Sequence, residues 1–340
     1  MARPNQARLD LGALRHNLGV ARALTPRSRL MAVVKANAYG HGAITIAREL
    51  EPLADALAVA SIEEAVELRD AGITAPILLL QGVFEAAELD IASHYGFWIT
   101  IDNERQLSWL EQARLDIPLQ CWLKVDTGMH RLGVNPERTR DFHHRLQHCA
   151  NALDEVVLST HLASADDLDS AQTLQQLQRF DRACDGLGCL RSAANSPGLL
   201  AWPQSHYNWV RPGYMLYGNS PFAQPHPNAE PLQPVMTLVS GIISLREFAA
   251  GESVGYGGSW TATRPSRIAT VTVGYGDGYP RLAPNGTPVL IRGQRAPLAG
   301  RVSMDMITVD VTDLAGVEIG DEVILWGAEL PAGEVARHAG

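Results

Sequence analysis

The feature that most constrains the fold of this chain is a repeated alternation of short apolar runs with amphipathic segments. Segments of helical period, such as "SIEEAVELRDAG" (61–72) and "NERQLSWLEQARL" (103–115), separate the runs. A strand followed by a helix, eight times over, predicts a closed TIM-type (β/α)8 barrel. The eight runs are "LMAVV" (30–34), "ALAVA" (56–60), "PILLL" (76–80), "FWIT" (97–100), "CWLKV" (121–125), "EVVLST" (155–160), "LRSAAN" (190–195) and "NWVRPG" (208–213).

The pattern changes after about residue 230. Strand-like segments such as "PVMTLVSGIISLREF" and "GDEVILW" are separated by Gly, Pro and Asp turns, without a long helical pattern between them. We therefore predict an α/β chain with a barrel domain over residues 1–230 and an all-β domain over 231–340. The run "ARLDL" (7–11) precedes the eight barrel strands, which leaves a strand within residues 1–11 available to join the β-domain.

Charge and composition exclude several classes of partner. The 340 residues are 46% hydrophobic and 19% charged, as is typical of globular enzymes, and the formal net charge is -9. An acidic chain of this kind argues against nucleic acids and anionic membrane surfaces as partners. No apolar stretch reaches the length of a membrane span, and "MARPNQARLD" lacks the hydrophobic region of a signal peptide. We expect a cytoplasmic protein.

Cysteines and histidines give no metal motif. The four cysteines form no CxxC pair and are expected to be reduced thiols. The segment "HHRLQHC" places His144 and His148 four residues apart, but the polar helical pattern around them offers no further ligand. We predict no metal site.

Polar side chains follow the predicted barrel strands at the point where each strand ends. In a (β/α)8 barrel the carboxyl ends of the strands meet at one face, where the active site forms. These residues should therefore share one site. They are Lys35, Lys124, Asp126, Arg131, His161, Asn195, Ser196 and Arg211.

Two of these segments suggest a cradle for an anion. "RPGYMLYG" offers backbone N–H groups around Gly213, and Ser196 offers a hydroxyl, as phosphate sites late in barrels do. A lysine beside a phosphate cradle suggests pyridoxal phosphate held as a Schiff base by Lys35. The pyridine nitrogen of that cofactor needs an acid or an arginine as its partner, and Arg211 is the arginine candidate.

Five ordered motifs carry a resemblance to a known family. "AVVKANAYGHG", "LKVDTGMHRLG", "VRPGYMLYG", "GYGDGYPR" and "GRVSMDM" resemble the successive signatures of alanine racemases, pyridoxal phosphate enzymes of fold type III. The similarity extends from "RLDLGALRHNL" to "GDEVILWG". It implies interconversion of L-alanine and D-alanine, for peptidoglycan or for catabolism, by a homodimer whose chains share active sites. Family members continue past "EVARHAG" into a tail with a phosphate-contacting tyrosine, whereas the printed sequence ends at Gly340.

The resemblance also assigns roles to residues of the barrel. Lys35 would carry the cofactor, Arg211 would face its pyridine nitrogen, and Arg131 would contact both the cofactor phenolate oxygen and the substrate carboxylate. Lys124 matches a lysine that is often carbamylated in the family, and the sequence is compatible with an ammonium or a carbamate there. The remaining cofactor-binding residues would be Tyr39, His161, Asn195, Ser196, Gly213 and Tyr214.

The second domain would supply a catalytic base and the substrate entrance. By resemblance, Tyr256 in "GESVGYGGSW" is the second base, and Tyr275 and Met304 bind the substrate. Racemisation needs a base on each face of the substrate, Lys35 for D-alanine and Tyr256 for L-alanine. Because a free tyrosine has a pKa of about 10, its phenolate needs support, for which His161, linked to Arg211, is the candidate.

Three other functions share parts of this pattern. A racemase of broader specificity is the main alternative, since the width of the substrate pocket cannot be read from the sequence. A fold-type III decarboxylase would place an acid at the pyridine nitrogen and a catalytic cysteine in its second domain, whereas the last cysteine here is Cys189. A non-catalytic pyridoxal phosphate carrier would be a lone barrel, without the domain that contains Tyr256.

Overall fold

The computed structural model describes residues 3–339 and divides into two compact units. One unit contains the chain up to Asp10 together with the segment from Gln233 onward, and the other is Leu11–Leu232. Strand β1 (Gln6–Leu9) pairs antiparallel with a strand of the C-terminal segment, Gln6 opposite Val239. In this unit a strand near the start of the chain therefore belongs to the same sheet as strands from its last third.

The unit Leu11–Leu232 is a closed barrel of eight parallel strands, which confirms the predicted TIM-type fold. All eight strands overlap the apolar runs that predicted them. They are β2 (Arg29–Val33), β3 (Ala56–Val59), β4 (Ile77–Leu79), β5 (Trp98–Ile101), β6 (Cys121–Lys124), β7 (Val157–Ser159), β8 (Leu190–Ser192) and β9 (Trp209–Val210).

Helices surround this barrel. The helical segments are α1 (Leu11–Leu24), α2 (Lys35–Gly40), α3 (Ala43–Leu50), α4 (Ile62–Asp70), α5 (Glu88–Tyr95), α6 (Glu104–Gln112), α7 (Thr139–Gln147), α8 (Gln172–Cys184) and α9 (Ser196–Ala201). Glu63 and Glu64 lie in the first turn of helix α4, where the helix dipole favours negative charge.

Aromatic and aliphatic side chains fill the barrel interior. Trp122 and Trp209 are buried with their rings 5.7 Å apart, and Met31, Val33 and Leu78 pack with them. Side chains two residues apart on a strand point the same way, so Lys124 lies one layer above Trp122 at the carboxyl end of β6. The packed interior is thus a floor beneath the barrel mouth.

The second unit is built on an antiparallel sheet. Its elements are β10 (Met236–Phe248), β11 (Ser253–Val254), β12 (Trp260–Thr261), β13 (Ser266–Val271), β14 (Pro288–Ile291), β15 (Gln294–Pro297), β16 (Ile307–Asp310), β17 (Glu322–Trp326) and α10 (Ala332–Ala339). The strand order is β15-β14-β17-β10-β13-β16, with β1 beside β10. Val271, Val309 and Val323 belong to the buried core of this sheet, and α10 packs Val335 against Leu290.

The helices are short and the cysteines are unpaired. Among residues 3–339, no helix is both long and apolar enough to cross a bilayer. All four cysteines carry free thiols, with Cys121 and Cys184 buried and Cys149 and Cys189 half-buried.

Candidate active site

Lys35 begins a turn of unusual backbone conformation. Ala36, Asn37, Ala38 and Tyr39 all have positive φ angles, between 52° and 54°, so α2 is a left-handed turn. For L-residues this conformation costs roughly 1–2 kcal/mol per residue, and it persists only where surrounding groups hold it. The Asn37 side chain provides one such bond, because its Oδ1 accepts the Ala43 N–H at 2.7 Å.

The end of this turn meets the segment that follows β9. The Tyr39 ring packs on Tyr217 at 4.8 Å, and burial raises the pKa of Tyr39. The Tyr217 hydroxyl donates to Val33 O at 3.0 Å. A Cβ at Gly213 would lie 2.6 Å from Tyr39 Oη, so any larger residue there would displace the Tyr39 hydroxyl. Sequence reasoning identified Tyr39 and Gly213 but missed Tyr217, whose role depends on this tertiary contact.

Ser196 is held by backbone N–H groups near Gly213, which the sequence analysis assigned to an anion and which the structure directs at the Ser196 hydroxyl instead. The Ser196 hydroxyl oxygen accepts the N–H groups of Gly213 and Met215, each at 3.1 Å. A hydroxyl has two lone pairs and one proton, so both lone pairs are used and the O–H is left as a donor. Asn195 is engaged differently, because its Oδ1 accepts the Gly198 N–H at the start of α9.

Arg211 is a buried guanidinium surrounded by neutral acceptors. It is 7% exposed and donates to Ser192 Oγ and, at 2.6 Å, to Thr160 O. Burial lowers its pKa to about 10, so Arg211 remains charged at neutral pH. Burial, with help from the Arg211 and Lys124 charges, lowers the pKa of His161 well below its usual range. At neutral pH His161 is therefore an uncharged imidazole.

Lys124 lies among like charges. Burial first, and then the charges of Arg211 and Arg131, lower its pKa to about 8. Asp102 at the end of β5 opposes this shift, and its own carboxyl has a pKa raised by burial. Sequence reasoning missed Asp102, although the residue follows a predicted strand.

Lys35, Lys124, His161 and Arg211 line one cavity of about 500 Å³ at the carboxyl ends of the barrel strands, and Asp102 is not among the described residues of its lining. Among the described residues that line it, none is a carboxylate. The whole chain has two lysines, Lys35 and Lys124, and both are here, a signal in the composition that the motifs alone do not convey. The ten predicted residues brought together are Lys35, Tyr39, Lys124, Arg131, His161, Asn195, Ser196, Arg211, Gly213 and Tyr214. Asp126, predicted at the same site, is not among the described residues of the lining, because its Oδ1 accepts the N–H groups of Gly128 and Met129 in the loop after β6.

The other three predicted residues lie together in the antiparallel unit. Tyr275 and Met304 are held side by side, because the Tyr275 N–H donates to Ser303 O at 3.0 Å and the Gly276 N–H to Met304 O at 2.8 Å. Tyr256 is 71% exposed and lines an open depression of about 1090 Å³ with both of them. Arg281 and Arg301 also line it, so this depression too is cationic.

The two histidines with the spacing of metal ligands lie at the end of α7. The His144 and His148 rings stack at 4.2 Å, and His148 Nδ1 is 2.7 Å from His144 O. Within residues 3–339, no group of three His, Cys, Asp or Glu side chains is placed to hold a metal ion.

The fold and the cavity define a class of protein. A barrel mouth with a strand-end lysine, a hydroxyl donor and a buried arginine, free of carboxylates among its described lining residues, is typical of barrel enzymes that bind an anionic ligand.

Comparison with known proteins identifies the family. The family models "Alanine racemase, N-terminal domain" and "Alanine racemase, C-terminal domain" match residues 9–221 and 235–340. The chain belongs to the alanine racemase family and is an isomerase that interconverts L-alanine and D-alanine.

Individual relatives agree over nearly the full chain. An alanine racemase of Pseudomonas taetrolens is 51% identical, over 99% of this chain and 94% of the relative, and the biosynthetic alanine racemase of Escherichia coli is 52% identical, over 96% and 90%. A catabolic alanine racemase of Pseudomonas putida is also 51% identical, over 99% and 94%.

Solved structures agree as well. The biosynthetic alanine racemase of Pseudomonas aeruginosa superposes with a TM-score of 0.95 at 49% identity, covering 99% of this chain and 94% of that one. An alanine racemase of Bartonella henselae, described with covalently bound pyridoxal phosphate, superposes with a TM-score of 0.88 at 32% identity, over 99% and 94%.

Proposed function

We propose that this chain racemises alanine with pyridoxal phosphate attached to Lys35. The observation that carries the proposal is that both lysines of the chain line one cavity whose described lining has no carboxylate, beside the Ser196 hydroxyl, which is left as a donor. Lys35 is at the strand end, and a phosphate next to it would receive the Ser196 and Tyr39 hydroxyls. The relative described with covalently bound pyridoxal phosphate supports the same cofactor.

The residues present suit this cofactor chemically. When bound, pyridoxal phosphate supplies an electron sink for the electron pair left when the substrate loses its α-proton. Arg211 stays charged and has no proton to accept, so it would donate to the pyridine nitrogen and leave that nitrogen unprotonated. Arg131 would hold the cofactor phenolate oxygen and the substrate carboxylate, and Asn195 and Tyr214 would complete the wall around the cofactor.

Two bases would move the proton between the faces of the substrate. Once the substrate amine has taken its place on the cofactor, the free Lys35 amine would take the α-proton of D-alanine while the Tyr256 hydroxyl gives a proton to the opposite face. In the reverse direction the Tyr256 phenolate would take the α-proton of L-alanine and the Lys35 ammonium would give one. His161 is neutral, so it would support the Tyr256 phenolate by donating a hydrogen bond rather than by charge. Tyr275 and Met304, beside Tyr256, would form the substrate entrance and bind its carboxylate.

Assembly is part of the proposal. We propose a homodimer in which Lys35 of one chain and Tyr256 of the other serve one substrate. The exposure of Tyr256 and the cationic depression around it support this arrangement, because a catalytic tyrosine needs a covered environment. Co-expressed Lys35→Ala and Tyr256→Phe chains should recover activity, since a mixed dimer has one intact site. Activity no higher than that of the separate variants would contradict shared sites.

Lys124 is proposed to be carbamylated. Carbon dioxide reacts with neutral amines, and the lowered pKa of Lys124, about 8, provides a neutral fraction near physiological pH. The negative carbamate would then be favoured by the Arg131 and Arg211 charges. Carbon-13 NMR with labelled bicarbonate should show a carbamate signal that Lys124→Met removes. A spectrum without that signal would leave Lys124 as an amine.

The lysine content makes the cofactor test direct. Borohydride reduction of the holoprotein should leave a pyridoxyl adduct on the peptide with Lys35, with Lys124 as an internal control that stays unmodified. A protein without a reducible adduct after addition of pyridoxal phosphate would refute the cofactor.

The role of Tyr256 can be measured separately. Tyr256→Phe should abolish racemisation and retain α-deuterium exchange from D-alanine, because Lys35 still serves that enantiomer. Equal loss of exchange from both enantiomers would show that Tyr256 is not a one-sided base.

The biological setting completes the proposal. The four free thiols support a reducing cytoplasmic location, which fractionation would test. We propose D-alanine supply for peptidoglycan or alanine catabolism as the role, as the biosynthetic and catabolic names of relatives suggest. Rescue of a D-alanine auxotroph would support the first. Assay against a panel of amino acids would decide between alanine and a broader substrate range.

A further inference from the structure

The left-handed turn that begins at Lys35 is tied to a neighbouring helix by one carboxylate. The N–H of Ala36, the residue directly after Lys35, donates to Glu64 Oε1 at 2.6 Å. The second oxygen of the same side chain, Oε2, accepts the N–H of Ala60 at 2.7 Å. Glu64 thus joins the loop after β2 to the loop after β3.

One end of this bridge, Ala60, is at the active-site cavity, and the other end, Ala36, directly follows a residue that lines it. Lys35 and Ala60 line it, whereas Glu64 is not among the described residues of the lining. Glu64 belongs to the first turn of α4, so its carboxylate is also favoured by the helix N-terminus. Hydrogen bonds to an ionised acceptor are shorter and stronger than neutral ones. The bridge is therefore well suited to hold a backbone conformation that L-residues avoid.

The position of Lys35 depends on this conformation. The first positive φ angle of the turn is at Ala36. A rotation about that bond would change the direction of the rest of the turn relative to the Lys35 backbone. Other bonds hold the later part of the turn, since Asn37 Oδ1 receives the Ala43 N–H. Within residues 3–339, only Glu64 accepts a hydrogen bond from the Ala36 N–H.

We propose that Glu64 is a positioning residue for racemisation, which holds Lys35 in the orientation that its amine needs. The inference rests on the proposed function in one respect, that Lys35 is the amine attached to the cofactor. Glu64 does not touch substrate or cofactor. Its effect is on the geometry of proton transfer, where displacements of about 1 Å matter.

The test compares three variants as holoenzymes. Glu64→Gln keeps the shape but leaves only one oxygen to accept, so one of the two N–H groups loses its partner. Glu64→Asp keeps the charge on a shorter side chain. Glu67→Gln is the matched control, because Glu67 is an exposed carboxylate on the same helix.

Glu64→Gln should increase amide exchange at Ala36 or Ala60 at least tenfold and lower kcat about tenfold, with KM for alanine within about twofold. After pyridoxal phosphate is added to cofactor-free protein, borohydride should trap the Lys35 adduct more slowly, by the same factor as the loss in kcat. Glu64→Asp should recover part of kcat, and Glu67→Gln should match the wild type in every measurement.

Two results would overturn the inference. One is wild-type exchange and kcat in Glu64→Gln. The other is a lower melting temperature with unchanged kcat and trapping rate, which would make Glu64 a stabilising residue alone. Failure of the proposed function would be distinct, because the wild type itself would then form no Lys35 adduct, while exchange at Ala36 would still report the bridge.

Discussion

A substitution at Gly213 tests how closely the cradle is packed. In Gly213→Ala the new Cβ would lie 2.6 Å from Tyr39 Oη and 3.3 Å from Tyr39 Cζ. The Gly213 backbone has a φ of -132°, outside the left-handed region that favours glycine, so the prediction is based on the new contact. Because non-bonded heavy atoms settle about 3.5 Å apart, the Tyr39 hydroxyl must move by roughly 0.9 Å.

The magnitude follows from what can move. An extra methyl group in a packed site costs about 1–3 kcal/mol. Tyr39 is 36% exposed and its hydroxyl is the far end of a side chain, so we expect the ring to yield. The cost then falls mainly on the proposed phosphate site, where it would raise the Kd for pyridoxal phosphate by roughly tenfold to a hundredfold. The free energy of unfolding of cofactor-free protein should fall by less than about 1 kcal/mol.

The assay is an absorbance titration of cofactor-free protein with pyridoxal phosphate, alongside urea unfolding. Gly19→Ala is the control, because Gly19 is an exposed position of α1 where an added Cβ would have nothing within 4 Å. Alanine there should stabilise the protein by about 0.5–1 kcal/mol and leave the Kd for pyridoxal phosphate unchanged. In a Tyr39→Phe background the contact with Oη is gone, and Gly213→Ala should raise the Kd for pyridoxal phosphate only a fewfold. A Kd within twofold of the wild type, or an undiminished cost in that background, would refute the reasoning.

Other predictions concern single groups in the barrel. Between pH 8 and 10 the unfolded chain binds more protons at Lys124 than the folded chain does. The free energy of unfolding of cofactor-free protein in CO2-free buffer should therefore rise with pH through this group. In urea titrations Lys124→Met should remove that rise. Trp122→Phe should lower the free energy of unfolding by less than the roughly 3–5 kcal/mol of a buried Trp→Ala change in the same assay, because within residues 3–339 the buried Trp122 Nε1 has no hydrogen-bond partner to lose. Cys189, whose pKa is lowered to about 7 beside Cys184 and Arg191, should react first with a maleimide, and buried Cys121 last, by mass spectrometry.

The barrel could be predicted from the sequence because its signal is local and repeated. A strand buried on both faces is a continuous apolar run, so even the two-residue strand β9 (Trp209–Val210) lies inside a predicted segment. The candidate site followed from the same reasoning. Once strand ends are known, the carboxyl ends of parallel strands must meet at one face, and Lys35, His161 and Arg211 meet there.

The motifs of the second unit were readable for a different reason. Tyr275 and Met304 belong to Gly-rich segments whose backbones approach closely, and a Cβ at Gly274 would lie 2.3 Å from Ser303 O. Such close backbone approaches require glycine, so the glycine can be recognised in the sequence. Helix α10 (Ala332–Ala339) was not predicted, because its eight residues are fewer than the roughly 11 to 18 over which a helical period is recognised in a sequence.

What the sequence alone determined is thus the order of strands and helices and the set of side chains at the barrel mouth. Only the tertiary structure decided how those side chains are held. The left-handed turn after Lys35 contradicts the local preferences of alanine and tyrosine, and a carboxylate 28 residues away from Ala36 holds it. Lys124 acquires its low pKa first from burial at the barrel mouth and then from the charges of Arg211 and Arg131. Contacts of this kind join residues that are distant in the chain, and no local pattern encodes them.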